Sequence, residues 1–188
     1  MNMRLGELLR ITLRGSSHGP FVGALVEGMP AGLVVDEGLV QQAMNLRKTG
    51  GTYSSKRKED DRVEWRSGVV DGVTNGEPIE VHIANQDARS SDYSFLPDHP
   101  RPGHQDLVMM KRTKGEADLR GGGTSSARMT APLVAVAAVL RTWLESQGID
   151  VEAHLGGGWD NEATNNAQMS PPCYQPPPKG APKKSNIN

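Results

Sequence analysis

The sequence predicts an α+β domain, in which antiparallel strands and two helices share one core. Three observations predict it. Residues 9–13, 79–83 and 149–153 alternate apolar and polar side chains at the period of a half-buried strand. Two longer segments, after Asp36 and after Thr130, place apolar residues at helical spacing. Asn75-Gly76, flanked by two strand patterns, is a strong two-residue hairpin signal and so points to antiparallel pairing.

The first strand is read from Leu9, Ile11 and Leu13, alternating with Arg10, Thr12 and Arg14. Gly15-Ser-Ser-His18-Gly-Pro20 breaks it. Residues 21–26 read as a second strand, and Gly28-Met-Pro-Ala-Gly32 as a turn. Asp36 is an N-cap for a helix of about ten residues ending near Lys48, with Leu39, Val40, Ala43 and Met44 as its apolar face. Residues 52–62 read as a mobile, solvated loop, because Lys56-Arg57-Lys58 is cancelled at once by Glu59-Asp60-Asp61. A strand is expected from Val63 through Trp65 towards Val73, and its return strand from Ile79, Val81 and Ile83, with His82 on the polar face.

Residues 85–100 read as a polar loop, and those between Asp106 and Arg120 as a short basic segment. Leu133, Val136, Ala137, Leu140 and Leu144 then predict a helix that is apolar nearly all round and lies inside the domain. Pro132 is tolerated only in a first turn, which sets the start near Thr130, and Gly148 closes the helix. Ile149, Val151 and Ala153 predict a last strand. From Gly156 onward Ile187 is the only Leu, Ile, Val or Phe, and six prolines crowd residues 171–182. Such a stretch buries too little apolar surface to offset chain entropy, so residues 156–188 are expected to be a disordered, Pro-rich tail. Its abrupt onset reads as a domain cut off rather than completed.

A net charge of -1 gives no bulk attraction to nucleic acid or to an anionic membrane, and neither partner is expected. The single cysteine, Cys173, has no internal partner, which fits a reducing compartment. No long uncharged apolar run and no signal-peptide stretch are seen, so a cytoplasmic location is expected. No metal site is expected.

Chemistry concentrates in residues 101–128: Arg101-Pro-Gly-His104-Gln-Asp106, then Arg120-Gly-Gly-Gly-Thr124-Ser125-Ser126-Ala-Arg128. A glycine triplet lets backbone approach a ligand closely. Serines at a helix entrance offer hydroxyls and N–H groups to an anion. Arginines fork onto phosphate or carboxylate oxygens, and histidine moves protons near neutral pH. The stretch reads as a site that holds a small phosphorylated or carboxylated acid and transfers a proton to it.

Together with Gly15-Ser-Ser-His18-Gly19, these two motifs closely resemble chorismate synthase. The resemblance covers residues 5–155 in unbroken order. It takes in Gly28-Met-Pro-Ala-Gly32, Ser67-Gly-Val69, Gly72-Val-Thr-Asn-Gly-Glu-Pro-Ile79, Asn85-Gln-Asp87 and Asp92-Tyr-Ser94. It implies part of a β-α-β sandwich, with helices between antiparallel sheets, and a homotetramer. It implies a 1,4-anti elimination of phosphate and a proton from 5-enolpyruvylshikimate 3-phosphate, with reduced FMN that returns unchanged. On the matching positions, His18 protonates the departing phosphate and His104 sits against the reduced flavin. Arg47, Arg101 and Arg128 grip substrate phosphate and carboxylates, while Thr124, Ser125 and Ser126 line the cofactor.

The chain also departs from the family pattern. Ser16 stands where a glutamate is usual, Thr124 where an arginine is usual, and Met129 where a glutamate is usual. The loop after Arg47 is shorter and has Tyr53 in place of a second arginine. The family continues into a second half that nothing after Leu155 resembles. Two other readings therefore stand beside the enzyme: a non-catalytic relative that is inactive or pairs with a full-length subunit, and a generic phosphate-binding module.

Overall fold

The computed structural model describes residues 3–47, 60–86 and 90–152. The chain divides into two compact units, Met1–Asp150 and Val151–Asn188. All elements described below belong to the first. Of the second, only Val151 and Glu152 are described, and neither lies in a helix or strand. The expected Pro-rich tail lies outside the described residues.

The strands are β1 (Arg4–Leu5), β2 (Arg10–Gly15), β3 (Phe21–Glu27), β4 (Val63–Ser67), β5 (Val69–Val70), β6 (Val73–Thr74) and β7 (Ile79–Ala84). The helices are α1 (Glu37–Arg47), α2 (Asp106–Thr113) and α3 (Ala131–Ser146). Within the described residues, five strands form an antiparallel sheet in the order β1-β2-β3-β7-β4. This is the mixed helix and antiparallel-sheet architecture that the sequence predicts. Alternation sets the sheet's inner face: Val22, Ala24 and Val26 of β3 and Ile79, Val81 and Ile83 of β7 are buried. Glu80 and His82 point to the other face, where His82 stacks on Phe21 at 4.0 Å between ring centroids.

α1 and α3 close the core with Val40 and Met44 from one and Ala131, Ala135, Val136 and Val139 from the other. Each fully buried Val, Ile or Met stabilises the fold by about 1.5–3 kcal/mol relative to exposure. Asp36 caps α1 as expected, accepting from Leu39 N at 3.0 Å. Gly148 closes α3 in a Schellman turn: Ile149 N donates to Leu144 O at 2.9 Å and Gly148 N to Glu145 O at 3.0 Å. By length and composition Arg120–Ser146 would suffice to cross a membrane. Its first part is not regular helix, because Gly121, Gly122 and Gly123 all take positive φ, and α3 packs its small residues into the core.

Four expectations are corrected. The hairpin turn lies at Asp71-Gly72, with φ of 51° and 75°, which pairs Val70 with Val73; Asn75-Gly76 makes a separate turn in which Asn75 Oδ1 accepts from Glu77 N. The expected long strand to Val73 therefore breaks at Gly68, and β4 pairs with β7 across the intervening β5–β6 hairpin. The inward face of α3 is Ala131, Ala135, Val136 and Val139, whereas Leu133, Leu140 and Leu144 are half-buried and Ala137 is exposed. The small residues face inward because α3 lies close against α1 and the sheet. Residues 149–152 form no strand; the basic segment after Asp106, to which the sequence reading assigns no element, is helix α2.

Candidate active site

His18 rides on the turn between β2 and β3. Ser16 closes that turn locally, its Oγ accepting from Gly19 N at 3.0 Å. Asn85, just after β7, clamps it from outside: Asn85 Nδ2 donates to Ser16 O (3.0 Å) and Gly19 O (2.8 Å), and Asn85 N donates to Pro20 O (3.0 Å). Ser17 is buried, and its Oγ donates towards the carbonyls of Arg120 and Gly121, both at 3.3 Å. The same oxygen lies 3.1 Å from His18 Nδ1. Tyr93 meets the His18 ring edge-on at 4.9 Å.

His104 approaches the same loop one residue further on, at Gly122, and it is anchored by Asp106, the first residue of α2. His104 Nδ1 lies 2.8 Å from Asp106 Oδ1, and Arg101 grips the same carboxylate through Nε (2.8 Å) and a terminal nitrogen (2.7 Å). Arg101 also donates to Leu119 O at 3.0 Å and lies over the Tyr93 ring at 5.3 Å. Hydrogen bonds from Arg101 hold the Asp106 carboxyl far below the ordinary carboxylate range, against burial that pushes it up.

Between the two histidines pass Gly121 and Gly122, with φ of 56° and 86°. A Cβ on Gly121 would lie 2.1 Å from His18 Cε1; one on Gly122 would lie 3.6 Å from His104 Cε1. The lack of a side chain at Gly121 is therefore what lets the His18 ring reach this strip of backbone, while His104 lies at ordinary contact distance from Gly122. Thr124 is half-buried and Ser125 exposed. Ser126 caps the turn into α3, its Oγ accepting from Arg128 N at 3.3 Å.

Arg128 is turned inward, its side chain only 6% exposed. It donates to Asp61 Oδ1, to Asn85 Oδ1 (3.1 Å) and to Ala84 O (3.2 Å). Arg47, at the end of α1, binds the other oxygen of Asp61. Burial pushes the Asp61 carboxyl up, but the hydrogen bonds from Arg128 and Arg47 outweigh it and the net is a lowered value. Among the described residues, Arg47 Nε is the buried side-chain nitrogen or oxygen without a hydrogen-bond partner.

The eight residues singled out by sequence thus fall into two linked groups. His18, His104 and Arg101 converge on the glycine loop that also holds Thr124, Ser125 and Ser126. Arg47 and Arg128 meet at Asp61, and Asn85 ties that pair to the His18 turn. Asp61 corrects the solvated-loop reading for its own position: it is buried with φ of 51°. Of the rest of that loop, residues 52–59 lie outside the described residues, and Asp60 and Arg62 are exposed. Sequence reasoning gave no role to Asp61, Asn85, Tyr93 or Asp106. Asp106 was findable, two residues after His104 in a motif already singled out; Asp61 carried no signal inside a run of charges.

A family model described as chorismate synthase matches residues 9–176. The chain belongs to the chorismate synthase family. It is 46% identical over 151 residues to the chorismate synthase of Aeropyrum pernix, covering 80% of this chain and 40% of that protein. It is 48% identical over 144 residues to that of Bordetella avium, covering 76% and 41%. A crystal structure of chorismate synthase superposes with a TM-score of 0.57 at 32% identity, covering 77% of this chain and 36% of the other. The chain therefore spans about 40% of the length of the curated chorismate synthases it matches.

Proposed function

We propose that the chain works as a chorismate synthase, a carbon–oxygen lyase of aromatic amino-acid biosynthesis. It would catalyse the 1,4-anti elimination of phosphate from 5-enolpyruvylshikimate 3-phosphate to give chorismate. The observation that supports this best is the strip of side-chain-free backbone at Gly121-Gly122 between His18 and His104. Two proton-transfer groups facing one bare strip suit a reaction in which a phosphate and a proton leave the same small molecule.

In this reading His18, oriented by Ser17 and braced by Tyr93, protonates the departing phosphate. A positioned general acid is worth roughly a hundredfold to ten-thousandfold in rate. His104 holds a proton beside Gly122 of the same strip. Arg47, Arg101 and Arg128 supply the positive charge for substrate phosphate and carboxylates. Two of the three are already tied to Asp61 and the third to Asp106, so they are preorganised rather than free to swing.

What supports reduced FMN here is the side-chain-free backbone at Gly121-Gly122 and the exposed Ser125 on the same loop. Ser125, Ser126 and Thr124 would hold the flavin on this loop, Thr124 with a hydroxyl and no charge. When bound, the reduced flavin supplies the electron-rich ring that the elimination needs, and it emerges unchanged. We further read the chain as a cytoplasmic homo-oligomer, a tetramer as in the family, with no nucleic-acid or membrane partner. A second reading, a relative without turnover that pairs with a full-length subunit, is favoured by Thr124 and Ser16 in place of charged residues.

The test is phosphate release from 5-enolpyruvylshikimate 3-phosphate with reduced FMN under anaerobic conditions. His18→Ala and His104→Ala are each expected to lower turnover at least about a hundredfold. Unchanged turnover in either variant removes that histidine from the mechanism, and no turnover in the unaltered chain favours the second reading.

A further inference from the structure

We propose that Asp106 is the positioning residue of His104: its carboxylate holds the imidazole as the Nδ1–H tautomer and leaves Nε2, beside Gly122, as the atom that takes and gives the proton. The inference rests on the proposed function for the reason a proton moves there.

The geometry runs outward from one carboxylate. Asp106 is almost completely buried, its side chain 2% exposed. Its Oδ2 accepts from Arg101 N at 2.9 Å and Arg101 Nε at 2.8 Å, and its Oδ1 from an Arg101 terminal nitrogen at 2.7 Å. Three donations from one arginine keep it ionised, and an ionised carboxylate has no hydrogen to give. His104 Nδ1, 2.8 Å from Oδ1, must then carry the hydrogen of that bond. A neutral imidazole has only one N–H, so Nε2 is left as a lone pair. The Cε1–Nε2 edge faces the glycine strip, where a Cβ on Gly122 would lie 3.6 Å from Cε1 and 3.9 Å from Nε2. Arg101 also donates to Leu119 O, one residue before that loop, so the arginine that fixes Asp106 also fixes its distance from the strip.

A purely structural Asp106 would serve only as an acidic residue in the first turn of α2. The tautomer separates the two roles. In Asp106→Asn, the side-chain oxygen is expected to stay with Arg101 N and Nε, because turning it away loses two bonds rather than one. The amide N–H₂ then faces His104 Nδ1 as a donor. The ring must answer as an acceptor, which moves its hydrogen to Nε2. A wrong tautomer of this kind disables a histidine without moving it.

The experiment is a two-bond ¹H–¹⁵N correlation spectrum of the full chain labelled with ¹⁵N-histidine, at about pH 8.5, where an unperturbed imidazole is neutral. His104→Gln identifies the His104 signals. We expect Nδ1–H in the unaltered chain and Nε2–H in Asp106→Asn, with the His18 and His82 signals unmoved. Nε2–H in the unaltered chain overturns the proposal without any variant. So does Nδ1–H retained in a folded Asp106→Asn. Should Asp106→Asn not fold, Arg101→Lys takes its place: it leaves the carboxylate opposite a cation, so His104 must stay Nδ1–H, and a switch overturns the proposal. No cofactor or substrate is present, so a chain without turnover ends the proposed activity and leaves the tautomer assignment to stand or fall by itself. Where turnover is measured, Asp106→Asn is expected to lower kcat at least about a hundredfold.

Discussion

At the scale of single residues, the site depends on glycine where a side chain would collide and on carboxylates where guanidinium groups are buried. Gly121→Ala would push a methyl to 2.1 Å from His18 Cε1 and 3.1 Å from Ser17 Oγ, whereas Gly122→Ala meets only ordinary contact at 3.6 Å. Both pay for a positive φ, about 1 kcal/mol or slightly more. Only Gly121→Ala is therefore expected to displace the His18 ring, visible as a shifted His18 resonance, and an unmoved resonance would contradict the contact. Asp61 makes the second test. Asp61→Asn leaves Arg128 and Arg47 facing a neutral amide in a buried position, and a loss of about 3–5 kcal/mol is expected in urea unfolding. A loss below about 1 kcal/mol would mean that the three charges contribute little. The sign with pH follows from the lowered values of Asp61 and Asp106. Their stabilisation is fully present above the unfolded carboxyl value of about 3.9 and is lost as pH falls through the folded values. Stability should thus decline steeply below about pH 4, and Asp61→Asn should flatten that acid limb.

At the scale of elements, one buried threonine joins two turns. Thr74, at the end of β6, is 2% exposed. Its Oγ1 donates to Pro30 O at 2.7 Å and accepts from Leu33 N at 2.9 Å, while its backbone pairs with Gly32 and Leu33. The β5–β6 hairpin is thereby fastened to the turn that leads into α1. Thr74→Val keeps the shape and leaves the part-buried Pro30 carbonyl and Leu33 N–H without that hydroxyl. It should cost about 0.5–1.5 kcal/mol, measured as a lower urea midpoint at unchanged slope. Thr74→Ser keeps the hydroxyl and should recover most of that loss. If Thr74→Val were as stable as the parent, the bonds at Oγ1 would not be what holds the two turns together. The elements themselves were largely legible. Alternation in β2 and β7, the short apolar run of β3, the Asp36 cap and the Gly148 stop all follow from local chemistry. The hairpin was misplaced because Asp71-Gly72 and Asn75-Gly76 have the same local preference, and only the register against β7 selects between them.

At the scale of the whole molecule, the question is whether a chain spanning about 40% of its relatives' length holds the flavin. The glycine strip and its two histidines are assembled, and Thr124 adds no charge there. We expect the fluorescence of FMN to change on titration with the chain, and binding to tighten when 5-enolpyruvylshikimate 3-phosphate is present. Substrate-enhanced binding would support the enzyme reading. Its absence at high protein concentration would favour the relative without turnover.

The sequence by itself determined the family and the antiparallel α+β character, and it singled out eight candidate residues, His18, Arg47, Arg101, His104, Thr124, Ser125, Ser126 and Arg128. Those are local properties: motif order, hydrophobic period and turn chemistry are all written along the chain. The tertiary structure decided which of them meet. It set Gly121-Gly122 between the histidines, turned Arg47 and Arg128 onto Asp61, and gave His104 the carboxylate of Asp106. A buried charge is tolerated only opposite a partner. That partner can lie 67 positions away in sequence, as Asp61 does from Arg128, where no local pattern marks it.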